Sequence, residues 1–130
     1  MSSKDKIQQF LKSPAFAVVG ASDDPSKFGN KVYKTYLRHN MTAHPVNPRV
    51  EQIDGHKVYK TLADLPEKVE AISVITPPPV TEKVVDDAIA AGVKYIWMQP
   101  GAESAAAVDK AEKAGLSVIH GGPCILVELG

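Results

Sequence analysis

Apolar and polar positions along this chain alternate between two periods. "AFAVVGAS" (15–22) is a near-continuous apolar run of strand length that breaks at Gly20. Apolar residues at successive rather than alternate positions mark a strand covered on both faces. "AISVIT" (71–76), "KYIWMQ" (94–99) and "LSVIHG" (116–121) have the same character. Between these runs the spacing becomes helical. After Pro25 and Ser26, the residues Phe28, Val32, Tyr36 and Leu37 share one face of a helix that ends near Asn40. "VTEKVVDDAIAAG" (80–92) turns Val84, Val85, Ala88 and Ile89 inward and stops at Gly92, and "ESAAAVDKAEKAG" (103–115) stops at Gly115. Ile7, Phe10 and Leu11 predict a short docking helix over residues 4–12. "TAHPVNP" (42–48) reads as a second strand with one poorly paired side, because Pro45 has no N–H to donate. "HKVYK" (56–60) reads as a minimal third strand at the edge.

Strands alternating with helices predict a parallel sheet joined by right-handed crossovers. The expected fold is α/β: one Rossmann-like, doubly wound domain over residues 1–130, with five or six strands and a short N-terminal helix.

Composition narrows the function classes. Fifteen basic and fifteen acidic side chains cancel, which argues against a general nucleic-acid or anionic-membrane binder, so phosphate recognition has to be local. The N-terminal "MSSKDKIQQF" has no apolar signal region, and no run approaches the ~20 residues of a spanning helix. The single cysteine, Cys124, leaves no internal disulfide and fits a reducing compartment, so the reading is a cytoplasmic protein.

In an open parallel sheet, ligands bind beyond the carboxyl ends of the strands, where strand order reverses. Four loops fall at that edge: "GASDDPSKFGN" (20–30), "VNPR" (46–49), "TPPP" (76–79) and "QPGAES" (99–104). In the first, Gly20 allows close backbone approach, Ser22 offers a hydroxyl, Lys27 adds charge, and the following helix points its first amides at the turn. Amides, hydroxyl and helix dipole together make an anion site. The alternative is a plain strand-to-helix turn.

The dinucleotide fingerprint G-x-G-x-x-G requires glycine where Ser22 stands, and an acidic residue about 20 positions on for the ribose hydroxyls. The second strand ends in "VNPR" with no carboxylate; Arg49 instead suits an extra phosphate near the ribose. NADP and coenzyme A, both phosphorylated on that ribose, fit better than NAD. No G-x-x-x-x-G-K-[ST] is present, which excludes a P-loop.

"VVGAS", "KFGNKV", "PVNP", "ITPPP", "WMQPGA" and the closing "GGPC" occur in this order from Phe16 to Glu128. As a set they resemble the small stand-alone CoA-binding proteins, which in turn resemble the N-terminal CoA-binding domain of the succinyl-CoA synthetase alpha subunit. The resemblance implies a CoA or acyl-CoA binder. It places Gly20, Ala21 and Ser22 against the CoA phosphates and Val46, Asn47, Pro48 and Arg49 at the adenosine end. It runs the pantetheine arm along Ile75-Thr76-Pro77 and Met98-Gln99-Pro100. Gly20→Val is accordingly expected to abolish CoA binding and leave the α/β fold intact.

No catalytic residue is assigned. The synthetase subunit continues into a domain bearing a phosphorylated histidine, and His120 is not that residue; it reads as a structural side chain. Asp23 and Asp24 read as turn and helix-entry residues. His44 and His56 do not pattern as a metal site, and one cysteine cannot build a structural zinc centre. Cys124 follows a Gly-Gly-Pro turn and reads either as a small buried hydrophobe or as a redox contact for the CoA thiol. The expected role is an accessory CoA-binding protein without catalysis of its own. The alternatives are an NADP-dependent oxidoreductase or nucleotide sensor, and a subunit that completes a split acyl-CoA ligase with another protein.

Overall fold

The buried runs become strands and the periodic segments helices, with bounds close to those expected. The computed structural model describes residues 3–129. The elements in order are α1 (Ser3–Leu11), β1 (Phe16–Val19), α2 (Phe28–Arg38), β2 (Ala43–Val46), β3 (Gln52–Ile53), β4 (His56–Lys57) and a 3-10 turn (Leu62–Asp64). They continue with β5 (Ala71–Val74), α3 (Pro78–Ala90), β6 (Tyr95–Met98), α4 (Ala105–Lys113), β7 (Ser117–Ile119) and α5 (Ile125–Leu129).

Five strands form one sheet in the order β2-β1-β5-β6-β7, and every neighbouring pair is parallel. The chain therefore starts in the middle, winds outward to β2, then crosses back over β1 to continue from β5 to β7. Strand order reverses between β1 and β5, which is where an open sheet leaves a crevice.

Each face of the sheet carries its own core. Ala17, Val19, Ile72, Val74, Ile96 and Met98 pack under α3 and α4, with Val84, Val85 and Ala88 facing in. Phe16, Val18, Trp97 and Ile119 pack under α1, α2 and α5, where Phe10 stands edge-on to Trp97 with ring centroids 5.3 Å apart. Two fully buried polar side chains cross this second core: Tyr36 Oη and Ser73 Oγ share a hydrogen bond of 2.7 Å. Burial holds the Tyr36 phenol in its neutral form, far above the ordinary tyrosine value.

Pro45 sits where its missing N–H costs nothing in the ladder. The Phe16 and Gly20 amides donate to the Thr42 and Val46 carbonyls, so the even residues of β2 face β1 and the Pro45 nitrogen faces the outer edge. Two local expectations give way. His56–Lys57 is not a third strand of the main sheet: it pairs antiparallel with Gln52–Ile53 across an Asp54-Gly55 turn. Both turn residues have positive φ, 48° and 82°, as a tight two-residue hairpin demands. Just after the hairpin Tyr59 bridges to Val46 at the sheet edge, and Ile53 and Val58 pack into the core on the sheet's second face. Ile89 was expected inward but is 39% exposed. The buried stripe of α3 runs through Thr81, Val84, Val85 and Ala88, and Ile89 lies about 90° off its axis at 100° per residue. No helix among the described residues is long and apolar enough to cross a membrane.

Candidate functional site

The reversal of strand order brings the loops after β1, β5 and β2 together. Gly20 leaves β1 at φ +96° with its Cα against the next strand's loop; a Cβ there would lie 2.2 Å from the Ile75 carbonyl oxygen. That carbonyl belongs to backbone already held in place, since the Ile75 amide donates to the Val19 carbonyl at 2.8 Å. Gly29, in the first turn of α2, packs against the Gly20 carbonyl in the same way: its Cβ would lie 2.1 Å from that oxygen. Two glycines thus let strand, loop and helix approach at backbone distance.

The next two carbonyls are captured by asparagines. Asn47 donates from Nδ2 to the Ala21 carbonyl at 2.8 Å, and Asn30 donates from Nδ2 to the Ser22 carbonyl at 2.9 Å. In a trans peptide the C=O and the following N–H point opposite ways, and no cis bond is present among the described residues. Turning the carbonyls of Gly20, Ala21 and Ser22 toward α2 and β2 therefore turns the amides of Ala21, Ser22 and Asp23 the other way. None of these three amides meets a protein acceptor among the described residues. The start of α2 adds to this: Lys27 stands at the N-cap and supplies no side-chain cap. An uncapped helix start beside outward-turned amides concentrates positive dipole ends at one place, which suits an anion.

Asn47 does more than hold Ala21. Its Oδ1 accepts from the Arg49 amide at 2.9 Å, and its own amide donates to the Tyr59 carbonyl at 2.8 Å. It closes the β2 loop, ties that loop to the β1 loop and leaves Arg49 on the outside. The ion pairs among the described residues involve neither Arg49 nor Lys27, and both are exposed. Ser22 is half-buried; its Oγ accepts from the Asp24 amide at 3.1 Å, which leaves its proton available to another acceptor. Asp24 accepts from the Ser26 amide and hydroxyl, and these bonds lower its carboxyl below the ordinary aspartate value. Asp23 and Asp24 are thus in the turn expected of them.

The other expected residues divide by burial. Ala21, Val46 and Met98 are buried side chains, with only their backbone at the strand ends, and Gln99 is wholly buried. Pro48, Pro77 and Pro100 are exposed, and Ile75 and Thr76 are half-buried. Thr76 Oγ1 shares a 2.7 Å hydrogen bond with Thr81, which fixes the loop to the start of α3.

The last loop folds back toward the middle of the sheet. After β7 it does not continue over its own strand: Trp97 donates from Nε1 to the Pro123 carbonyl at 3.0 Å, and the Ile125 amide donates to Gln99 Oε1 at 3.0 Å. Both anchors are on or just beyond β6, so they draw the loop inward. Half-buried Cys124 lies between the two held residues, over the end of β6. His120 stays exposed. A groove of about 800 Å³ lies away from this edge, between the 3-10 turn and α3, lined by Leu62, Leu65, Lys83, Asp87 and Ala90.

A family model described as a CoA binding domain matches residues 14–130. The chain belongs to the CoA binding domain family. The family's domain occurs in two settings among its relatives. One is a small protein: the chain is 41% identical to a conserved hypothetical protein from Pyrococcus furiosus, covering 88% of this chain and 97% of that one, with a TM-score of 0.82. A hypothetical protein from Pyrococcus horikoshii superposes with a TM-score of 0.90 at 32% identity, covering 98% and 89%. The other is a long ligase: 91 residues are 30% identical to the alpha subunit of an ADP-forming acetate–CoA ligase II from Pyrococcus furiosus, 69% of this chain but 20% of that subunit.

Asn30 and Gly29 were not among the expected site residues, although both lie in "KFGNKV". Glycine at the second position of a helix, followed by asparagine, was the available signal. Its meaning depends on a carbonyl eight or nine residues back.

Proposed function

We propose that the chain binds coenzyme A or an acyl-CoA across the carboxyl ends of the strands, as an accessory protein without catalysis of its own. The observation that carries this reading is the β1 loop, whose carbonyls are held inward and whose amides face out beside the uncapped start of α2. In this reading that loop, with Ser22 and Lys27, holds the diphosphate. Arg49 meets the ribose phosphate, with Val46, Asn47 and Pro48 forming the floor at the adenosine end. The pantetheine arm follows Ile75–Pro77 and then Met98–Pro100. The residues present fit such a ligand, because outward amides and an unpaired guanidinium match a diphosphate and a separate phosphate.

The test is thermal unfolding with four nucleotides. CoA at a hundredfold excess over its dissociation constant adds about 2.7 kcal/mol, roughly 10 °C for a domain of this size. Dephospho-CoA should stabilise less, NAD not at all, and Arg49→Ala should erase the difference between CoA and dephospho-CoA. Stabilisation by NADP equal to that by CoA would overturn the assignment in favour of a nicotinamide nucleotide.

A second reading, a subunit of a split acyl-CoA ligase, draws support from the identity to a ligase alpha subunit. It requires that a co-purified complex, and not the chain alone, convert acyl-CoA, ADP and phosphate to ATP, CoA and the free acid.

A further inference from the structure

Resting on that binding reading, we infer that Cys124 captures the thiol end of the ligand as a mixed disulfide, which makes the site redox-responsive. The first ground is position. Trp97 and Gln99 draw the Pro123–Ile125 segment over the end of β6, one strand from β5 and two from β1. Strands are spaced about 4.8 Å apart, so the end of β6 lies about 10 Å along the sheet edge from the end of β1. A pantetheine arm leaving a diphosphate at Gly20–Ser22 spans that distance.

The second ground is a buried polar group without a partner. Gln99 is 0% exposed, and its Oε1 is occupied by the Ile125 amide, which fixes which end of the carboxamide is oxygen. Its Nε2 has no hydrogen-bond partner among the described residues. An unpaired buried donor costs about 1–3 kcal/mol. This one belongs to a carboxamide lying against the Cys124–Ile125 peptide. A carbonyl of the arm's amide groups satisfies it once the Pro123–Ile125 segment shifts enough to admit the arm, and leads the sulfur toward Cys124.

The reaction balances as thiol–disulfide exchange with CoA disulfide. The Cys124 thiolate attacks one sulfur of the CoA disulfide and a new S–S bond forms to that CoA. The original S–S bond breaks, and the second CoA leaves as a thiolate that takes up a proton.

The experiment uses the full chain, reduced, freed of reductant and mixed with micromolar CoA disulfide, with intact mass followed over time. The expected result is one CoA adduct, removed by dithiothreitol and absent in Cys124→Ser. Binding presents the disulfide at about millimolar effective concentration, so the rate should exceed that with micromolar glutathione disulfide roughly a hundredfold. Pantethine, which has the arm without the nucleotide, should fall between the two; a pantethine rate equal to that of glutathione disulfide would overturn the guidance of the arm to Cys124. No adduct, or equal rates with CoA disulfide and glutathione disulfide, overturns the inference while a CoA shift in the reduced protein leaves the binding reading standing. Loss of that shift in reduced wild type overturns the binding reading, and the inference with it.

Discussion

Gly20→Ala tests whether the reversal point is built from backbone packing or only from a ligand's needs. A glycine at φ +96° forces alanine into left-handed backbone, at about 1–2 kcal/mol. The added Cβ lies 2.2 Å from the Ile75 oxygen and 2.8 Å from its carbon, backbone that cannot swing aside as a side chain would. Overpacking of this kind costs about 1–3 kcal/mol, so the two contributions together reach about 2–5 kcal/mol. A domain's whole stability is about 5–15 kcal/mol. Urea unfolding should therefore show a midpoint lower by at least about 0.7 M, given a slope of about 1–3 kcal/mol per M. The structure supplies separate controls for the two contributions. Gly115 has φ +89° with nothing within 4 Å of a Cβ, so Gly115→Ala carries the dihedral cost alone. Gly29 is helical, and a Cβ there lies 2.1 Å from the Gly20 oxygen, so Gly29→Ala carries the clash alone. Helix propensity by itself would make Gly29→Ala stabilising by up to about 1 kcal/mol. A stabilised Gly29→Ala, or a Gly20→Ala midpoint no lower than that of Gly115→Ala, would refute the packing argument. The same geometry corrects the sequence-based expectation for Gly20→Val: the branched side chain strikes β5's loop, so CoA binding should be lost together with the fold.

Two further perturbations probe the polar braces. Asn47→Asp keeps the acceptor for the Arg49 amide, loses the donor to the Ala21 carbonyl and sets a negative charge beside the phosphate loop. It should cost about 1–2 kcal/mol in urea and weaken CoA more than about tenfold by calorimetry; unchanged affinity would separate Asn47 from loop orientation. Tyr36→Phe leaves the buried Ser73 hydroxyl without its 2.7 Å partner and should cost about 1–3 kcal/mol. Because the Tyr36 phenol keeps its proton in the fold and loses it near pH 10.0 when unfolded, its stabilising share is present below pH 10.0 and falls away as pH rises above it. Tyr36→Phe should therefore flatten the alkaline decline in urea midpoint, and an equal slope in both proteins would argue against this.

Most of the fold was legible because the buried strands are apolar at nearly successive positions and the helices α3 and α4 end at a glycine, α2 at Asn40. Gly92 and Gly115 have φ of +78° and +89°, as a helix stop in left-handed backbone requires. The parallel pairing of the main sheet then followed from alternation and the crossover rule, whereas the order β2-β1-β5-β6-β7 comes from the structure. The edge hairpin was not legible as such. "HKVYK" has strand character, but its partner was decided by Asp54-Gly55, whose tight turn folds the segment back on Gln52–Ile53. Helix α5 was missed for a different reason: "ILVEL" is too short for a helical period to be counted, and α5 packs against α2 and the sheet's second core.

The candidate site was legible in place but not in construction. Sequence pattern puts Gly20, Ala21 and Ser22 at the carboxyl edge of the sheet, since that requires only the alternation of strands and helices. Whether their peptides present oxygen or nitrogen to a ligand is a separate matter, decided by donors at Asn30 and Asn47, eight and 26 positions distant. A carbonyl turned outward would repel the phosphate that an amide attracts, so those two asparagines set the sign of the site. The closing loop obeys the same logic. Its sequence neighbour is β7, but two long-range hydrogen bonds, each spanning 26 residues, carry it back to β6. Those bonds place Cys124 over the sheet edge rather than beside it. Chemistry that motif order assigns only to an edge of the sheet is thus positioned by side chains distant in sequence: Asn30, Asn47, Trp97 and Gln99.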